Sequence, residues 1–209
     1  MNKTIIGISG LARAGKNLFA DVAIDILKKK NITAKTFALA YYLKEDCADF
    51  IKTYLDLSVY SEKNEEKEIF RPLLVWYGDV KRKQTKGRYW IEALQKDLEA
   101  SKASVNIITD IRYTTYERDE CYWLQKELGG KLVHIAKYNI DSGGNKIFDL
   151  PPNEHEEFND PILQKSGDIK IEWEAIGYKC NNSYICMLND STIKAAVNDS
   201  LLKCGIEGL

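Results

Sequence analysis

The stretch Thr4-Ile5-Ile6-Gly7-Ile8-Ser9-Gly10-Leu11-Ala12-Arg13-Ala14-Gly15-Lys16-Asn17-Leu18-Phe19-Ala20-Asp21-Val22-Ala23 decides how the rest of the chain is read. Ile5, Ile6 and Ile8 form a short apolar run of the kind that makes a buried strand. Gly10 to Lys16 then spells G-x-x-x-x-G-K, the spacing of a phosphate-binding loop. Phe19, Val22, Ala23, Ile26 and Leu27 follow at helical spacing. In this context the loop's amides and the helix N-terminus direct partial positive charge at a phosphate, and Lys16 adds a full charge.

Gly10, Leu11, Ala12, Arg13, Ala14, Gly15, Lys16, Asn17 and Leu18 are therefore the expected nucleotide-binding residues. Asn17 stands where Ser or Thr would place a hydroxyl on Mg²⁺, and its amide oxygen is the donor left to take that role. Leu18 has no hydroxyl for the neighbouring phosphate. The competing reading of the stretch is a glycine-containing strand-to-helix turn that binds nothing.

Composition narrows the rest. A chain of 209 residues suits a single domain spanning 1–209, with room for a lid. It is 44% hydrophobic, enough for a full core, and its 29% of charged residues is typical of a soluble globular protein. A net charge of −1 gives no overall pull toward nucleic acid or an anionic membrane, so any anion site is local. No apolar run approaches a membrane span, and no leader pattern is visible. Cys47, Cys121, Cys180, Cys186 and Cys204 show no C-x-x-C pair and read as reduced thiols of a cytoplasmic protein.

Strand and helix patterns alternate along the chain. Ala34–Leu39 reads as a strand, Ala40–Leu55 as a helix, Ser58–Lys67 as a loop or frayed helix. A helix is expected over Glu68–Tyr77, with Pro72 near its start and Gly78 at its end. The basic run Lys81–Arg88 reads either as a solvated loop or as a mobile lid over phosphates. Tyr89–Ala100 is the next helix. Ser104–Asp110 is a strand ending in an acid, where ligands collect in open α/β sheets. Asp110 is then a Mg²⁺-associated carboxylate or a cap, and Arg112 reaches the same crevice or pairs with a structural acid.

A helix over Thr115–Leu128, a strand over Lys131–Ala136 and a loop over Asp141–Pro152 follow. Ile169–Trp173 and Tyr184–Leu188 read as strands of a hairpin inserted over 173–184, and Asp190 or Ser191 caps a last helix. With two histidines in the chain, a histidine metal site is not expected, and His134 reads as a core residue. The class is α/β: a mostly parallel sheet with helices on both faces.

Four landmarks resemble the bacteriophage-type deoxynucleoside monophosphate kinases, a branch of the P-loop nucleotide kinases. They are the loop Gly10–Asn17; Arg71, Leu74 and Gly78 followed by Arg82 and Tyr89-Trp90; Asp110-Ile111-Arg112-Tyr113 with Glu117; and His155 with Glu157, then Asp168-Ile169 and Asn189-Asp190-Ser191. The family's usual Gln in the second segment is Val75 here, and Glu156 replaces a serine in the fourth. The resemblance implies transfer of the γ-phosphoryl group of ATP to a deoxynucleoside monophosphate. It implies ATP and Mg²⁺, the latter touched by Asn17 and Asp110, and a location in the host cytoplasm if phage-encoded.

The expected catalytic residues are Lys16, Arg71, Arg82, Arg88, Asp110 and Arg112. The acceptor would meet Arg71, Trp76, Trp90, Arg112, Glu117 and His155. Three rivals stand beside this reading: a kinase for another small acceptor such as dephospho-coenzyme A, a nucleotide-binding module that does not turn over, and a nucleic-acid-end kinase. The near-neutral charge counts against the last. The size is one at which homodimers are common.

Overall fold

The computed structural model describes residues 3–175, 184–206 and 208–209. Its spine is a parallel sheet. β1 (Thr4–Ser9) lies between β3 (Val105–Ile108) and β4 (Lys131–Ile140), and β2 (Ala34–Phe37) pairs with β3 at one edge. β6 (Ile169–Glu174) pairs parallel with the other side of β4, whose far end carries the short antiparallel strand β5 (Lys146–Phe148). β1 carries strands on both sides and layers on both faces. Its near-continuous run of isoleucines is what such a strand requires.

The pleat sends alternate residues to opposite layers. Ile6, Ile8, Ile107, Val133 and Ile135 pack against Phe19, Val22, Ala23 and Leu27 of α1 (Lys16–Lys29) and Ile193, Val197 and Leu201 of α8 (Ser191–Lys203). On the other face, Ile108, Ile111 and Leu132 pack with Leu39 of α2 (Leu39–Leu55), Trp90, Ile91, Leu94 and Leu98 of α4 (Arg88–Ala100) and Leu163 of α6 (Glu154–Ser166). The expected two-faced α/β sheet is the observed one. A satellite cluster of Cys47, Ile51, Val59 and Phe70 ties α2 to α3 (Asn64–Thr85).

Several local expectations are corrected. α3 runs through both Pro72 and Gly78, because its packing against α2 outweighs their weak helix propensity. The expected loop or lid at Lys81–Arg88 is helix up to Thr85. Only Lys86 and Gly87, at φ 51° and 87°, separate α3 from α4.

The expected helix over Thr115–Leu128 shrinks to α5 (Glu120–Tyr122), which continues as a π-helical turn over Trp123–Glu127. Asp119 accepts the amides of Thr115 and Tyr116 and so holds the preceding residues as a turn. The expected loop after β4 holds β5. Tyr184–Leu188, expected as a strand, belongs to the helix α7 (Tyr184–Asn189). The rest of the expected hairpin, 176–183, lies outside the described residues. Among the described residues no helix is long and apolar enough to cross a membrane.

Candidate active site

The loop between β1 and α1 is shaped by two close approaches. Gly10, at φ 135°, lies where a Cβ would sit 2.2 Å from the Ile135 carbonyl oxygen. Gly15, at φ 96°, lies where a Cβ would come within 2.7 Å of the Trp173 ring. Side chains are excluded at both points, so the motif glycines are required by space as well as by dihedral angle.

Trp173 of β6 also donates from its indole N–H to the Ala14 carbonyl at 2.8 Å. It anchors the loop from 159 residues away, and nothing in the local sequence marks it. Trp173→Phe keeps the ring packing but leaves a buried carbonyl without its donor. It should cost about 1–3 kcal/mol in thermal or denaturant unfolding and weaken nucleotide binding several-fold.

Lys16 opens α1 and is only 8% exposed. Its Nζ donates to the Gly10 and Leu11 carbonyls, both at 2.7 Å. Burial, then the Arg112 charge, pulls its pKa down to about 8, partly offset by Glu156, Asp110 and Asp160. A bound polyphosphate favours the ammonium form, so nucleotide binding should take up a proton near pH 8. Affinity should then fall as pH rises above about 8, by up to tenfold per unit, and this dependence should vanish in Lys16→Met; calorimetric titrations at pH 7, 8 and 9 measure it.

An acid already rests on the loop. The Ala12 amide donates to Oε2 of Glu156 at 2.6 Å, and Oε1 of Glu156 lies 3.8 Å from the Arg112 guanidinium. Beneath them, Ser9 Oγ is 3.0 Å from Nδ1 of His134, whose Nε2 lies 3.9 Å from Asp160. Burial, with the Lys16 charge, pushes His134 down to about 4, so it is a neutral core residue, as expected.

Asp110 is buried at the end of β3. Its two carboxylate oxygens accept the Leu39 and Ala40 amides, both at 2.8 Å. It therefore satisfies the orphan donors at the start of α2, the capping alternative for an acid in this place. Asn17 is exposed and lines a cavity of about 560 Å³ with Lys35, Tyr41, Tyr42, Asp97 and Thr109. No group of three His, Cys, Asp or Glu side chains gathers to hold a cation among the described residues. A neutral Asn17 and a capped Asp110 would leave a Mg²⁺ to phosphates and water for most of its ligands.

The arginines divide. Arg112 lines a second cleft, of about 210 Å³, with Leu39, Leu43, Leu74, Val75, Trp90, Asp110, Tyr113 and Glu120. Arg82, expected as a finger or lid residue, is buried within α3. It donates to Asp119 at 2.5 Å and to Glu120 at 2.9 Å, and stacks 3.6 Å from the Tyr113 ring centre. Arg88, expected in the same role, makes a fork of 3.0 Å bonds to both oxygens of Glu127 and a bond to the Arg118 carbonyl. Both guanidiniums are engaged by carboxylates within the chain, Arg82 on the wall of the second cleft and Arg88 at the start of α4. Arg71 is exposed on α3, one turn before the cleft residues Leu74 and Val75.

Of the expected acceptor residues, Trp90 is a wall of the cleft and packs edge-on against Tyr77 and Tyr89. Trp76 is 62% exposed and Glu117 is exposed. The carboxylate turned inward is Glu120, which accepts the Arg112 and Tyr113 amides at 2.7 and 3.1 Å. Its burial, one turn past Glu117 in the chain, depends on the Asp119 turn, and a spacing rule does not find it. His155 is exposed at the start of α6, its ring 6.2 Å from Tyr113. Leu18, expected to bind nucleotide, points its side chain into the core and offers only its amide.

The sequence profile of the phosphomevalonate kinase family matches residues 8–128. A solved structure of shikimate kinase from Aquifex aeolicus aligns over 97% of this chain and 96% of that one, at 16% identity and a TM-score of 0.44. No curated protein matches the chain.

Proposed function

The chain belongs to the phosphomevalonate kinase family, and from that premise we propose that it transfers the γ-phosphoryl group of ATP to a phosphate monoester, first among them a (deoxy)nucleoside monophosphate. An acceptor phosphate oxygen forms the new bond to the γ-phosphorus. The bond from that phosphorus to the β–γ bridging oxygen breaks, and ADP leaves with a diphosphate product. One observation carries the reading: the loop amide of Ala12 already holds an oxyanion, the Glu156 carboxylate, with Lys16 and Arg112 beside it.

Such chemistry needs positioning and charge neutralisation more than covalent help. The loop amides and Lys16 hold the β- and γ-phosphates. Arg112 spreads the charge of the group in transfer, and its planar fork suits two phosphate oxygens. Asn17 and Asp110 are the residues that would meet a Mg²⁺, which would supply neutralisation of phosphate charge. The second cleft takes the acceptor: Arg112 stands at its polar end, and Leu43, Leu74, Val75 and Trp90 offer an apolar wall suited to a base.

A second reading keeps the chemistry and changes the acceptor to a smaller phosphate monoester such as phosphomevalonate. The family description and the modest cleft volume favour it, as does Val75 where the nucleotide kinases it resembles carry Gln. A coupled ADP-release assay with ATP and Mg²⁺ separates the two, with each deoxy- and ribonucleoside monophosphate and phosphomevalonate added singly. Turnover confined to nucleotides supports the first reading. Turnover with phosphomevalonate alone supports the second, and silence across the panel refutes both.

A further inference from the structure

Glu156 sits where a substrate phosphate is expected. One carboxylate oxygen takes the Ala12 amide at 2.6 Å; the other takes the Asn153 side-chain amide at 3.2 Å and faces Arg112 at 3.8 Å. The side chain is only 15% exposed. Lys16, the loop's own cation, is turned back onto the Gly10 and Leu11 carbonyls. Loop amide, lysine and arginine are thus all engaged within the chain, two of them on one carboxylate.

We infer that Glu156 is an affinity-setting residue of the nucleotide site, an internal stand-in for a phosphate oxygen that ATP must displace and that returns to help ADP leave. This rests on the kinase reading of the loop. The helix bearing Glu156 need not move. Asn159, buried one turn later in α6, accepts the Thr114 amide at 2.8 Å and its hydroxyl at 3.1 Å, and Leu163 is in the core. Rotation of one side chain toward solvent frees the loop. A charge-assisted bond to a backbone amide is among the stronger hydrogen bonds, so its loss sets a measurable toll on ligand affinity.

The test is calorimetric binding of ATP, ADP and adenosine at pH 8 to the full chain and to Glu156→Gln, Glu156→Ser and Asp160→Asn. Asp160 is the control: it is the neighbouring acid, its field reaches Lys16, and it makes no hydrogen bond to the loop. Both Glu156 variants should bind ATP and ADP about tenfold tighter, with adenosine unchanged, and Asp160→Asn should change affinity less than about threefold. Unchanged ATP affinity in the Glu156 variants overturns the inference and leaves the kinase reading standing. Equal tightening in Asp160→Asn overturns it too, since the effect is then one of field and not of contact. Failure of every protein, wild type included, to bind ATP overturns the kinase reading and the inference with it.

Discussion

Lys16→Met should lower kcat roughly 10³-fold, about 4 kcal/mol of transition-state stabilisation, while the protein stays folded. The ammonium is the buried full positive charge of the loop, whose other cation, Arg13, is exposed, and charge on the transferring group is what the site must offset. The fold should tolerate the change because burial already disfavours the charged form, as the pKa of about 8 records. The Gly10 and Leu11 carbonyls lose a donor, but methionine fills the same space without a charge to desolvate. Thermal unfolding should therefore move only a few degrees. Near-normal turnover in a folded Lys16→Met protein would sink the assignment of this lysine.

Arg82→Ala should do the reverse, damaging the fold first. Arg82 is 4% exposed and is the cation held between Asp119 and Glu120. Its removal strands two buried carboxylates and should cost about 3–5 kcal/mol, a fall in Tm of roughly 10 °C for a chain of this length. Arg88→Ala breaks the more exposed pair with Glu127 and should cost less than about 1 kcal/mol.

The loss should also depend on pH. Burial pushes the Glu120 carboxyl above its ordinary range, against the pull of Arg82. A carboxyl raised in the folded state holds its proton there more tightly than in the unfolded chain. Stability therefore falls as pH rises from the unfolded pKa, about 4.3, through the folded one. Without Arg82 that penalty grows, so Arg82→Ala should be hurt more at pH 8 than at pH 5.5. Denaturant unfolding at the two pH values checks this, and an equal loss at both would count against the buried-pair account. Because Glu120 also holds the Arg112 and Tyr113 amides, activity should fall with stability.

The sequence by itself determined the glycine loop between β1 and α1 and the class of fold. Both rest on local rules: glycine spacing over seven residues, isoleucines in a strand covered on both faces, and apolar residues at helical period. Asp110 was equally legible as an acid at a strand end, and Arg112 as its neighbour. Only the tertiary structure decided what several of these residues do. Arg82 and Arg88 look alike in the chain as part of one basic run. α3 turns the first inward onto Asp119 and Glu120, and the second finds Glu127 from the start of α4.

Trp173 and Glu156 are silent in any local pattern, because one reaches the loop from the last parallel strand and the other from the first turn of α6. The physical reason is the same in each case. Hydrogen bonds and desolvation act across space at a few ångströms, and pairs separated by 37 to 159 positions meet only when the sheet has ordered its strands.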